Sequence, residues 1–158
     1  MVNSKNEVLK MFLIKKLCFE IEGIIAEIPE EIGAVFNSDW TDENSLVFKR
    51  SDGRYSFNYE ISRNCMGTKE ALIDSQQEIC YKIFPVGEIE LNGIKGHRST
   101  YSTNREQYYE ARFLIDKTED GDTEFVFVLW TENNDIEDIK ASPEFKKLLH
   151  GIRRKDIL

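Results

Sequence analysis

Histidine is scarce in this sequence, with two in 158 residues, and the three cysteines, Cys18, Cys65 and Cys80, form no C-x-x-C pair. Zinc sites are built from several such side chains at short spacing, so a structural metal centre lacks its ligands and no cofactor is expected. An odd cysteine count also argues against a secreted disulfide scaffold and for a reducing, cytoplasmic compartment. There is no Gly-rich phosphate loop, no G-x-S-x-G elbow and no H-E-x-x-H, which removes the common motif-borne chemistries. Positive charge is in deficit, 21 Lys and Arg against 29 Asp and Glu, for a formal net charge of -8. A surface of that sign repels phosphate backbones and argues against nucleic acid, while a cationic or neutral protein surface remains open. A membrane-length apolar run is also missing near the start. In "VLKMFLIKKLCFEIEGIIAEI" the longest unbroken apolar run is Met11 to Ile14, and Lys15 and Lys16 follow at once. That is too short to span a bilayer or to form a signal-peptide core.

What is present suits one domain over residues 1–158: 41 % hydrophobic and 32 % charged residues, without repeats, linkers or low-complexity tracts. Asp52-Gly53, Asn92-Gly93 and Asp120-Gly121 are hairpin signals, because such dipeptides suit turns that need positive φ. Arg54 to Ser62 alternates strictly. Tyr55, Phe57, Tyr59 and Ile61 share one face and Ser56, Asn58 and Glu60 the other, as in a half-buried antiparallel strand. A helix is expected over Lys69 to Phe84, capped by Thr68 and stopped by Pro85, with Leu72, Ile73, Ile79, Cys80 and Ile83 on its buried face. "VGEIEL" and "GIKGHRSTYST" pair across Asn92-Gly93, and "EQYYEARFLID" follows. Phe125 to Trp130 is apolar without a break, which places that strand near the centre of the sheet. After a short turn at Ile136 to Lys140, Ser142 and Pro143 open a closing helix. Its apolar stripe is Phe145, Leu148, Leu149 and Ile152, with Arg153, Arg154 and Lys155 at its C-terminus. Opening strands over Phe12 to Ile21 and Ile24 to Ile28 run into a polar loop reaching about Ser45. The order, about four strands, a helix, four strands and a helix, gives an α+β fold: a curved, mostly antiparallel sheet packed by helices as an αβα-type sandwich.

"FEIEGIIAEIPEEI", "LNGIKGHRSTYST" with Gly96 inside its second strand, "YYEARFLI", "FVFVLWT" and "IEDIKASPEFKKLLHGI" together resemble the superfamily of the photosystem PsbP proteins and a eukaryotic Ran-binding nuclear import factor. The resemblance covers most of the chain from about Lys16. It implies a curved antiparallel sheet sandwiched by helices and a non-enzymatic role, binding partner proteins or acting as an accessory subunit. No catalytic motif comes with it.

The candidate sites follow from parity. His97, Ser99 and Tyr101 share one strand face and Arg98 the other, so the histidine–arginine cluster of the linear sequence, with Arg105 beyond it, divides across the sheet. "DKTEDGD", Asp116 to Asp122, fails as a calcium loop, because the twelfth position would be Phe127 inside a strand. Cys80 reads as packing, whereas Cys65, in a loop before a helix, has the position of a reactive thiol. Trp40 stands in a polar, acidic loop of the kind that carries binding hot spots. The expected function is a non-catalytic interaction module engaging a protein partner, with Trp40, His97 and Tyr101 as candidate contacts. The rival is a small-molecule binder using the concave sheet face. A hydrolase or transferase centred on His97 or Cys65 has no supporting spacing.

Overall fold

The computed structural model describes residues 17–39, 41, 42, 44–80 and 82–155. Five strands come first: β1 (Leu17–Ile21), β2 (Ile24–Ile28), β3 (Val35–Phe36), β4 (Ser45–Lys49) and β5 (Ser56–Cys65), with a 3-10 turn at Glu30–Ile32. Helix α1 (Thr68–Cys80) precedes β6 (Val86–Leu91), β7 (Ile94–Ser102), β8 (Gln107–Thr118) and β9 (Gly121–Thr131). Two short helices, α2 (Ile136–Ala141) and α3 (Pro143–His150), lead to β10 (Ile152–Arg154). The strands form a seven-stranded antiparallel sheet ordered β3-β4-β5-β9-β8-β7-β6 and a three-stranded sheet ordered β1-β2-β10.

Strand periodicity was legible. In β5, Phe57, Tyr59 and Ile61 are buried on one face, and the unbroken apolar strand β9 is the middle strand of the seven. The core lies between that apolar face and a layer made by the small sheet with α2 and α3. Phe19 of β1 meets Tyr59 edge-on at 5.1 Å, and Phe145 of α3 meets Tyr109 at 5.1 Å. Asn92 and Gly93, at φ 50° and 82°, make the two-residue turn between β6 and β7. Gly96 is required for space, since a Cβ there would overlap the Arg112 carbonyl on β8.

Several expectations need correction. The closing helix stops at His150. Gly151 turns against β2, and the chain continues as β10 with Ile152 opposite Ala26. Arg153 and Lys155 therefore do not serve a helix terminus. They pair with Glu27 (2.9 Å) and Glu20 (3.2 Å) on the neighbouring hairpin. Helix α1 ends at Cys80, short of Phe84, whose amide folds back to donate to the Gln76 side chain. Its buried side chains are Leu72 and Gln76, while Ile79 and Ile83 are exposed, because the sheet face beneath it is polar. The layer covering the core face is a mixed sheet and helix layer instead of helices alone, and the turn expected at Asp120-Gly121 lies one residue earlier, with Thr118 paired to Gly121.

Candidate functional site

The alternate residues of the central strands build a polar face on the large sheet. Register sets Ser99 beside Glu110 and His97 beside Arg112, with Glu124 and Glu60 further along the same face. Helix α1 lies on the β7 and β8 part of that face and joins it by hydrogen bonds. Arg112 is the hub. Its Nε donates to Glu110 Oε2 (2.7 Å), Nη1 to Glu124 Oε1 (3.1 Å) and Nη2 to Ser75 Oγ of α1 (3.4 Å). Ser75 Oγ donates to Glu110 Oε2 (3.3 Å), and the Tyr101 hydroxyl to Glu110 Oε1 (2.5 Å). From the adjacent position Gln76 Nε2 donates to Ser99 Oγ (2.7 Å), which itself donates to the Pro85 carbonyl (2.7 Å).

Burial sets the electrostatics. It pushes the Glu124 carboxyl above the usual range, with Arg112 pulling the other way. Glu60 rises for the same reason, opposed by Arg112 and reinforced by Glu110 and Asp42. Arg112 loses solvation too, yet Glu110 and Glu124 hold its guanidinium charged beyond its ordinary value. Burial next to Glu110 likewise keeps the Tyr101 phenol protonated. Most of these groups are spent on one another. The arrangement locks α1 to the sheet and leaves the patch net negative.

Of the expected contacts, His97 and Tyr101 share the polar face, while Arg98 is exposed and Arg105 sits in a separate turn. Tyr101 is buried, stacked on Tyr108 at 5.1 Å and bonded to Glu110, so it offers no surface to a partner. His97 is half-buried, and its Nδ1 is 2.7 Å from Thr68 Oγ1. It lies beside an open groove of about 470 Å³ lined also by Glu88, Glu90, Lys95 and Leu114. Thr68, expected as a cap, is engaged there. Trp40 lies outside the described residues. Burial pushes the Cys65 thiol up and the charge of Glu124 adds to this, while the hydrogen bond with Ser62 (3.3 Å) pulls the other way; the net effect disfavours the thiolate. The Asp116–Asp122 stretch is a hairpin turn, and no group of three metal-ligating side chains converges among the described residues.

Sequence reasoning missed Glu110, Arg112 and Glu124. The available signal was their shared parity, opposite to the apolar Tyr109, Ala111, Phe113 and Phe125, which sets these charges together on one face of the sheet. It also missed the outward side of α1. Glu70, Asp74 and Glu78 recur there at helical spacing, all exposed, and none makes an ion pair among the described residues. Toward the two ends of the helix Met66 (80 %), Ile79 (41 %) and Ile83 (56 %) stand in solvent.

No family model matches the chain, and no curated protein matches it significantly. Among solved structures it is similar to a point mutant of Mog1, at 12 % identity over 91 % of this chain and 98 % of that one, with a TM-score of 0.52. The Saccharomyces cerevisiae Ran-binding protein Mog1p matches at 11 % identity, covering 90 % and 96 %, with a TM-score of 0.48. A Pseudomonas aeruginosa protein of unknown function, described as a putative regulator, matches at 13 % identity, covering 85 % and 94 %, with a TM-score of 0.42. At these identities the similarity to Mog1 speaks for the fold alone.

Proposed function

We propose that this chain is a protein-interaction module without catalytic chemistry of its own, and that it docks a partner through the outward side of α1. The observation that carries this reading is the exposed acidic row Glu70, Asp74 and Glu78 on α1, none of them in an ion pair among the described residues, with Met66, Ile79 and Ile83 exposed toward the ends of the helix. Carboxylates at i, i+4 repel each other, and Glu78 near the helix C-terminus opposes the helix dipole, with no basic residue in the last turn to relieve it. The arrangement is unfavourable for the isolated helix and suits a partner with a basic surface. The shared fold supports the reading, since the yeast protein of that fold is described as Ran-binding. Membership of the superfamily that also holds the PsbP proteins belongs to the proposal, supported on its import-factor side only.

A cytoplasmic setting is part of the same proposal, supported by the odd cysteine count. No helix among the described residues is long and apolar enough to cross a membrane. The groove beside His97 favours a second reading, a small-molecule site.

The test is affinity capture from the source cells with the intact chain, Asp74→Lys/Glu78→Lys and Trp40→Ala, each checked for folding by circular dichroism. A protein held by the intact chain and lost by the double variant is the expected result. A partner retained by the double variant removes α1 from the interface, and loss with Trp40→Ala adds that loop to it. Capture of nothing moves the function to the groove at His97.

A further inference from the structure

Strand β6 is the longest sheet edge whose outer side is open among the described residues. At the opposite edge β3 has two residues, and in the small sheet the edges β1 and β10 have five and three. β6 runs six residues in unbroken register with β7, whereas β5 and β8 each contain a register shift. Sheet edges are ordinarily shortened, bulged or covered, because their unpaired backbone is a template for another strand.

The hairpin geometry says which groups are on offer. In a two-residue hairpin the closing pair, here Leu91 with Ile94, exchanges both backbone hydrogen bonds, and the pattern then alternates. Leu91, Ile89 and Gly87 therefore bond inward to β7, and Val86, Glu88 and Glu90 turn their N–H and C=O groups outward. No backbone partner meets these groups among the described residues. The side chains of Glu88 and Glu90 stand on one face, exposed and without ion pairs.

We infer that β6 accepts an added strand from a partner protein, an extended segment with Lys or Arg at alternate positions. This rests on the reading of the chain as an interaction module and gives that partner a second, chemically defined contact. The charges choose the occupant. A second copy pairing antiparallel through β6 would set Glu88 against Glu88 when centred there, or Glu88 against Glu90 when centred on Ile89. Directly opposed like charges disfavour either register. The same two carboxylates attract a basic strand, whose alternate side chains fall opposite them while its backbone completes the ladder.

The experiment is an anisotropy titration with fluorescein-labelled, end-blocked Lys-Thr-Lys-Val-Lys-Thr, with Glu-Thr-Glu-Val-Glu-Thr as control. The intact chain binds the basic peptide and not the acidic one, and the Glu88 and Glu90 amides exchange more slowly with solvent when it is bound. Glu88→Lys/Glu90→Lys weakens binding at least tenfold. Glu88→Pro does the same, because it removes an outward N–H and spares the bonds to β7. Binding that survives Glu88→Pro in a folded protein is charge attraction without strand pairing and overturns the inference. So does the absence of binding, or a dimer in sedimentation that Glu88→Pro dissolves. If Glu88→Pro does not fold, the lysine variant and amide exchange decide. A cellular partner lost by Asp74→Lys/Glu78→Lys but kept by Glu88→Pro defeats the strand inference and leaves the module reading standing.

Discussion

Tyr59 carries a hydroxyl into the aromatic core that finds no hydrogen-bond partner among the described residues. It is packed by Phe19, Phe48, Phe57, Phe125 and Phe127, and full burial holds the phenol far above its ordinary ionisation range. An unmade buried hydrogen bond is a penalty, so Tyr59→Phe should raise stability by about 1 kcal/mol, or roughly 2–4 °C in Tm for a chain of this size. Thermal unfolding followed by circular dichroism checks it, and a fall in Tm would mean the hydroxyl is satisfied after all. The contrast with Arg112 is instructive. Both are polar groups on central strands, yet Arg112 has three hydrogen-bonded partners and Tyr59 none. The alternation of β5 showed that Tyr59 points inward. What its oxygen would meet depends on rings from β1, β4 and β9.

Elements far apart in the chain are joined at the Asn92 turn. The Asn92 side chain donates to the carbonyls of His150 (3.1 Å) and Ile152 (2.8 Å), so the β6–β7 hairpin holds the end of α3 and the start of β10. Its backbone is left-handed, φ 50°, which asparagine and glycine tolerate better than alanine. Urea unfolding should find Asn92→Ala destabilised by about 2–3 kcal/mol and Asn92→Gly by about 1–2 kcal/mol, the difference being the backbone contribution. Asn92→Gly matching the parent protein would show that the two hydrogen bonds add nothing. The turn itself was legible as Asn-Gly between apolar runs. Its second duty was not, because β10 reads in sequence as the last turn of an amphipathic helix. Gly151, closely packed against β2, is what diverts the chain.

At the scale of the molecule the charge balance and the buried face act together. Glu60 and Glu124 have folded-state pKa values raised above the ordinary 4.5 by burial. Between that value and the raised one the folded state holds more protons than the unfolded state, so stability falls as pH rises through the window. Self-repulsion of a chain of net charge -8 has the same sign. Tm should therefore increase as pH is lowered from 7 into the window above the ordinary carboxylate range. In Glu60→Gln the increase should be smaller and Tm at pH 7 higher. Scanning calorimetry of both proteins across that range decides it. A Tm that falls from pH 7 downward, alike in parent and variant, would remove Glu60 from the account.

By itself the sequence determined most of the longer strands, their inward residues, the central place of β9, most of the hairpins and the α+β class. Each of these is written in periods of two or 3.6 residues, or in a turn dipeptide, all local in the chain. Only the tertiary structure decided what lies on the second face of the sheet. Whether α1 buries Ile79 and Ile83 or Gln76 beside Leu72 depends on the polarity of β7 and β8, which follow it in the chain. Whether Arg153 to Lys155 end a helix or pair with Glu20 and Glu27 depends on a hairpin more than a hundred residues away. Long-range pairing settles such choices, since burial of a side chain is a property of its neighbours in space.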